Sequence, residues 1–101
     1  MPGDFFCFMP YHFYILHSQT LDRYYIGYTS NLADRLKKHN TYHKGFTGRV
    51  NDWRVVYKEA YAEKSDAYAR ERQVKSWKSR KLIELLIDGG SAHPDFTSGG
   101  S

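Results

Sequence analysis

The chain predicts an α+β fold: a three-stranded antiparallel sheet flanked by helices, in the order β-β-α-β-α-α. Three observations predict it. Residues 11–17 and 24–28 are aromatic, β-prone runs separated only by the polar segment 19–23, the pattern of a hairpin. Trp53–Tyr61 alternates well enough for a third strand. The remaining patterned segments carry apolar residues at helical spacing behind capping side chains. Antiparallel strands with helices packed on them form a layered α+β sandwich.

The elements follow in order. The run 11–17 reads Tyr-His-Phe-Tyr-Ile-Leu-His and the run 24–28 reads Tyr-Tyr-Ile-Gly-Tyr. Gly27 inside a strand predicts a bulge or a close approach of backbone to another group. Thr29, Ser30 and Asn31 offer N-caps for a helix over about 31–40. Residues 41–52 form a loop containing Gly and Thr. Ser65 and Asp66 predict the cap of a second helix over about 66–78. Ser79 predicts the start of a short third helix, stopped by Gly89 and Gly90.

The patterned region is 11–88. Residues 1–10 read as an N-terminal extension, without the basic start and long apolar centre of a signal peptide. Residues 89–101, rich in Gly and Ser, read as a flexible C-terminal tail. The 101 residues suit a single domain. No apolar run approaches the ~18 residues of a membrane span. One cysteine, Cys7, excludes an internal disulfide and any multi-Cys zinc site, and fits a reducing cytoplasm.

Charge narrows the class of partner. Lys and Arg total 15 against 11 Asp and Glu, a net charge of +4. The distribution matters more than the total. Residues 70–81 hold six cations, one anion and one Trp, and Lys37, Lys38, Lys44 and Arg49 form a second group. Such clusters attract polyanions. A solvated helix face would account for the same composition.

Polar residues at core-facing positions narrow it further. On the first helix Leu32 and Leu36 mark the inward stripe. Arg35 and His39 fall within the same arc, while Asp34, Lys37 and Lys38 point away. On the second helix Glu71 shares a face with Ala67, Val74 and Lys78. Glu71 also suits an ordinary i,i+4 pair with Lys75. Tyr14 and Tyr25 stand on neighbouring strands of one hairpin, where aromatic cross-strand pairs are common stabilisers. His39 and His43 have helical metal-pair spacing but lack a suitably spaced third ligand. No nucleophile elbow or Gly-rich phosphate loop is present.

These residues resemble a known pattern. Tyr14 in His12-Phe13-Tyr14, then Tyr25-Ile26-Gly27, then Arg35, His39 and Glu71, resemble the paired motif and downstream markers of the GIY-YIG nucleases. Tyr24 to Thr29, Asn31-Leu32, Arg35-Leu36, Trp53, Glu59, Arg70-Glu71 and Trp77 to Lys81 look especially like the small stand-alone bacterial members, described as excision-nuclease-C-like. The similarity covers about 11–88. The first motif departs from the pattern, retaining only its Tyr, which places the backbone role of the missing Gly in question rather than the chemistry.

The resemblance implies a metal-dependent endonuclease that hydrolyses phosphodiester bonds in DNA, structured or single-stranded, in repair or recombination. Its catalytic set would be Tyr14, Tyr25, Arg35, His39 and Glu71. Glu71 would hold Mg²⁺ or Mn²⁺, a hard cation that keeps several waters beside one carboxylate. Arg35 would bind the scissile phosphate. Tyr14, with Tyr25 as its partner, would activate water, and His39 would hydrogen-bond a Tyr or the phosphate. Lys44, Arg70, Lys75, Lys78 and Arg80 would bind nucleic acid, with DNA the expected partner and a protein partner able to supply specificity. The alternatives are a nucleic-acid-binding module of the same fold with little or no activity, and an adaptor that binds protein through its Tyr-rich face.

Overall fold

The computed structural model describes residues 9–41 and 46–89. Cys7, His43, Lys44, most of the expected N-terminal extension and all but the first residue of the expected tail lie outside these residues. The elements are β1 (Tyr11–Ser18), β2 (Arg23–Thr29), α1 (Leu32–His39), a single 3₁₀ turn (Phe46–Arg49), β3 (Trp53–Tyr61), α2 (Lys64–Trp77) and α3 (Arg80–Gly89). The expected α+β order is therefore observed. No helix among the described residues is long and apolar enough to cross a membrane.

The sheet order is β2-β1-β3, antiparallel throughout. β1 is central, which explains its nearly unbroken apolar run: Phe13, Tyr14, Ile15 and Leu16 are all at most 2% exposed. Phe13 and Ile15 face one side. There they join Ile26 and Val74, with Trp77 of α2 and Ile83, Leu86 and Ile87 of α3 packed against them. Tyr14 and Leu16 face the other side with Trp53, covered by Leu32 and Leu36 of α1. The period-2 alternation of a strand thus divides one run between two cores.

A register shift interrupts β1–β3 pairing. Ile15 opposes Tyr57 while Leu16 opposes Val55, so Val56 is the extra residue of a bulge. The strand irregularity lies there and not at Gly27, which pairs with Tyr14 in register.

Local signals decide several boundaries. Asn31 caps α1, its Oδ1 accepting from Asp34 N–H at 3.0 Å. Thr29 Oγ1 accepts from Asn31 N–H at 3.1 Å and fixes the strand-to-helix turn. Ser79 Oγ accepts from Leu82 N–H at 3.2 Å at the start of α3. The second helix corrects the expectation. It begins at Lys64, two residues earlier, with Glu63 as N-cap and no side-chain cap bond. The backbone amides of Asp66 and Ala67 both donate to Glu63 O, so the first turn closes before Ser65 can cap it. Lys78 likewise leaves the expected helical face. It adopts left-handed φ 49°, ψ 41° as the C-cap, and this turn sends the chain into α3 with Lys78 exposed.

A candidate active-site cleft

Two anchors, Asn40 and Asp52, position α1 and the turn beneath it. Asn40, the C-cap of α1, holds Trp53 at both backbone groups: its Oδ1 accepts from Trp53 N–H at 2.7 Å and its Nδ2 donates to Trp53 O at 2.9 Å. Asp52, next to Trp53, accepts from Ser18 Oγ at 2.6 Å and from Thr20 N–H at 2.9 Å. Its carboxyl is held down at about 2, chiefly by the Ser18 hydroxyl. The end of α1 is thereby tied to the start of β3 and the β1–β2 turn, which sets where Arg35 and His39 project.

A cleft of about 500 Å³ opens beside β2. Tyr14, Tyr25, Arg35 and Glu71 all line it, so four of the five expected catalytic residues converge there. The fifth, His39, stands behind Tyr14 with its Nε2 3.1 Å from the Tyr14 hydroxyl. His39 is 7% exposed and its ring also meets Tyr25, with centroids 4.6 Å apart. The Tyr14 and Tyr25 rings are 6.4 Å apart. Arg35 is exposed and lines the cleft.

Gly27 makes this cluster possible. A Cβ on Gly27 would fall 2.7 Å from Tyr14 Oη, 2.9 Å from its Cζ and 3.2 Å from Tyr25 Cε2. The close approach expected at Gly27 is real, and the group it admits is the Tyr14 phenol itself. Tyr14 is also 2% exposed and sits in a hydrophobic cluster, so it is a core residue as well as a cleft residue.

Burial is the main force that pushes the Tyr14 phenol above its ordinary range. The neighbouring Tyr25 and Glu71 add to it, and Arg35 opposes it. Tyr14 therefore carries its proton at neutral pH unless further positive charge enters the cleft.

Glu71 both faces the cleft and pairs with Lys75. Its carboxylate lines the cleft with a side chain 13% exposed, and its Oε2 accepts from Lys75 Nζ at 2.6 Å. Among the described residues, Oε1 has no protein donor. No group of three or more His, Cys, Asp or Glu that could hold a metal exists among the described residues. One carboxylate in a polar, open cleft suits a hard divalent cation that keeps most of its own waters, and does not suit zinc.

The expected nucleic-acid-binding cations are placed differently. Arg70 grips Glu59 at 3.0 and 3.1 Å and packs over Phe13 and Trp77. Glu59 also accepts from Tyr57 and Tyr61 at 2.5 and 2.6 Å. Arg80 bridges Asp22 and Glu84 and lies over Tyr24. Lys75 pairs with Glu71, and Lys78 is exposed at the α2–α3 turn. In contrast Lys64, which sequence reasoning passed over, lines the cleft from the first residue of α2. Tyr11, Tyr28, Thr29 and Ser30 complete the wall.

The GIY-YIG catalytic domain family matches residues 10–83. A UPF0213 protein of Staphylococcus saprophyticus is 30% identical over 66 residues, 64% of this chain and 80% of that protein. A UPF0213 protein of Limosilactobacillus reuteri is 29% identical over 83 residues, 79% of this chain and 85% of that protein. The solution NMR structure of a UPF0213 protein from Bacillus halodurans superposes with a TM-score of 0.52 at 28% identity, covering 90% of this chain and 96% of that one. With the family's domain spanning both strand motifs, α1, β3, α2 and the start of α3, the chain belongs to the GIY-YIG catalytic domain family and resembles its small UPF0213 proteins.

Proposed function

We propose that this protein is a divalent-metal-dependent endonuclease that hydrolyses phosphodiester bonds in DNA. The observation that carries this reading is the convergence of Tyr14, Tyr25, Arg35 and Glu71 on one cleft, with His39 bonded to Tyr14 from behind.

Each group has a task suited to its position. Arg35, exposed at the margin, binds the scissile phosphate through its planar fork and offsets the charge that grows on it. Glu71 Oε1 would hold Mg²⁺ or Mn²⁺. When bound there, such a cation supplies Lewis acidity at a phosphate oxygen and at the leaving group. Tyr14 takes a proton from the attacking water as it yields its own to His39 Nε2, which lies in hydrogen-bond reach. Arg35 already pulls the Tyr14 pKa down against its burial. Tyr25 packs against both His39 and Tyr14 and keeps the two rings in place. Lys64 meets a second phosphate on the facing wall, and Lys75 and Lys78 extend the positive field along α2 and its end.

A second reading has its own observation. Burial raises the Tyr14 pKa, and Lys75 holds one oxygen of Glu71, an arrangement that also suits a DNA-binding module without turnover. One experiment separates the two. Purified wild-type protein and Glu71→Ala are incubated with single-stranded, duplex and branched DNA, and with RNA, in Mg²⁺ or Mn²⁺. Cleavage by the wild type and none by Glu71→Ala is expected. Wild-type protein that binds DNA yet leaves every substrate intact overturns the enzyme reading.

A further inference from the structure

Beyond the cleft, α2 presents a second concavity of about 400 Å³, lined by Tyr68, Glu71, Arg72, Lys75 and Ser76. It shares Glu71 with the cleft, so that side chain borders both.

Tyr68 is the unusual member. It is 44% exposed and belongs to neither hydrophobic cluster. Its ring is nevertheless held. It meets Tyr28, itself a cleft residue, at 5.5 Å between centroids. The Arg72 guanidinium lies 5.6 Å over the same ring, and Arg72 Nη1 donates to Tyr68 Oη at 3.1 Å. Among the described residues no carboxylate comes within ion-pairing distance of Arg72. An exposed, oriented aromatic ring thus stands one step outside the cleft beside a cation that forms no ion pair among the described residues and feels Glu71 only at a distance.

We propose that this groove seats an unpaired base next to the cleaved phosphate, with Tyr68 as its stacking surface and Arg72 as its phosphate contact. The inference rests on the nuclease reading of the cleft. A π-face accepts any base, but only a base not stacked and paired in a duplex can reach it. Arg72 and Lys75 supply the charge that tracks a backbone. Tyr68 lies three residues before Glu71 on α2, on the same face of the helix, and both line the groove. The substrate class is therefore a single strand, or a duplex frayed or flapped at the cut.

The test reads binding rather than cleavage. A short single-stranded oligodeoxynucleotide carrying 2-aminopurine, and the same strand annealed to its complement, are titrated without divalent metal against wild type, Tyr68→Ala and Tyr68→Phe. Tyr68→Ala is expected to weaken single-strand binding about tenfold and to abolish the stacking quench of 2-aminopurine, with duplex affinity nearly unchanged. Tyr68→Phe, which keeps the ring, retains both signals. Equal losses on both substrates, no loss, or no quench in the wild type overturns the proposal. Tyr68-dependent binding by a protein that never cleaves would overturn the nuclease reading and leave this seat in place.

Discussion

Tyr14 Oη and His39 Nε2 are 3.1 Å apart in a buried hydrogen bond that joins the central strand to the last turn of α1. The two residues are 25 positions apart and both lie below 8% exposure. Tyr14 lines the cleft and His39 backs it, so the bond links core packing to the wall of the cleft.

Tyr14→Phe is expected to act on both. Removing the hydroxyl loses this hydrogen bond, worth about 0.5–1.5 kcal/mol. Loss of the general base lowers cleavage by about 10²–10⁴-fold. Thermal melting and single-turnover cleavage measure the two effects separately. A variant that cleaves at the wild-type rate would remove Tyr14 from the reaction.

Gly27→Ala is expected to damage the site through space. The added methyl falls 2.7 Å from Tyr14 Oη, and the ring it strikes is buried and tethered to His39. Displacing it costs about 1–3 kcal/mol, as overpacking in a core does. The melting temperature falls and cleavage falls with it. An unchanged melt with full activity would show that Tyr14 can move aside freely.

Arg35 and Lys64 are expected to behave differently although both are cleft cations. Arg35→Lys loses the planar fork and most of the cleavage rate with it. Lys64→Ala keeps the reacting groups and instead weakens binding, lowering the slope of log affinity against log salt by about one. Anisotropy titrations at several salt concentrations check the slope. A salt slope identical to wild type would place Lys64 outside the phosphate path.

Asp52 predicts an acid-dependent contribution to stability. Its folded carboxyl is depressed from the ordinary 3.8 to about 2, first by the Ser18 hydroxyl and then by the Thr20 amide. A depressed folded pKa contributes stability that is complete above the unfolded value and is lost as pH falls through the folded one. Between 3.8 and about 2 the wild type should lose stability through this group. Asp52→Asn should melt lower at neutral pH and show a flatter dependence in that window. Parallel wild-type and variant curves would show that Asp52 contributes nothing there.

Much of the fold was legible in the chain because its signals are local. Strand alternation, the Asn31 cap and the Ser79 start depend on residues within a few positions of one another. Gly27 was legible as a close approach, since a glycine within a strand implies a neighbour that a Cβ would strike. The Ser65-Asp66 cap misled because local capping preference is weak, and the first turn of α2 instead closes on Glu63 O.

The element order, the two tyrosines on one hairpin, and the helical positions of Arg35, His39 and Glu71 follow from local pattern in the chain. Only the tertiary structure decided that β1 is central, that α2 brings Glu71 to the Tyr14 side of a shared cleft, and which cations are taken up by the fold. Arg70 is matched by Glu59 and Arg80 by Asp22, while Lys64 and Arg72 meet no carboxylate among the described residues. Those outcomes depend on strand order, register and packing between residues far apart in the chain. Periodicity reports which face of an element a residue occupies, but the partner opposite that face is chosen by the free energy of the whole packed core.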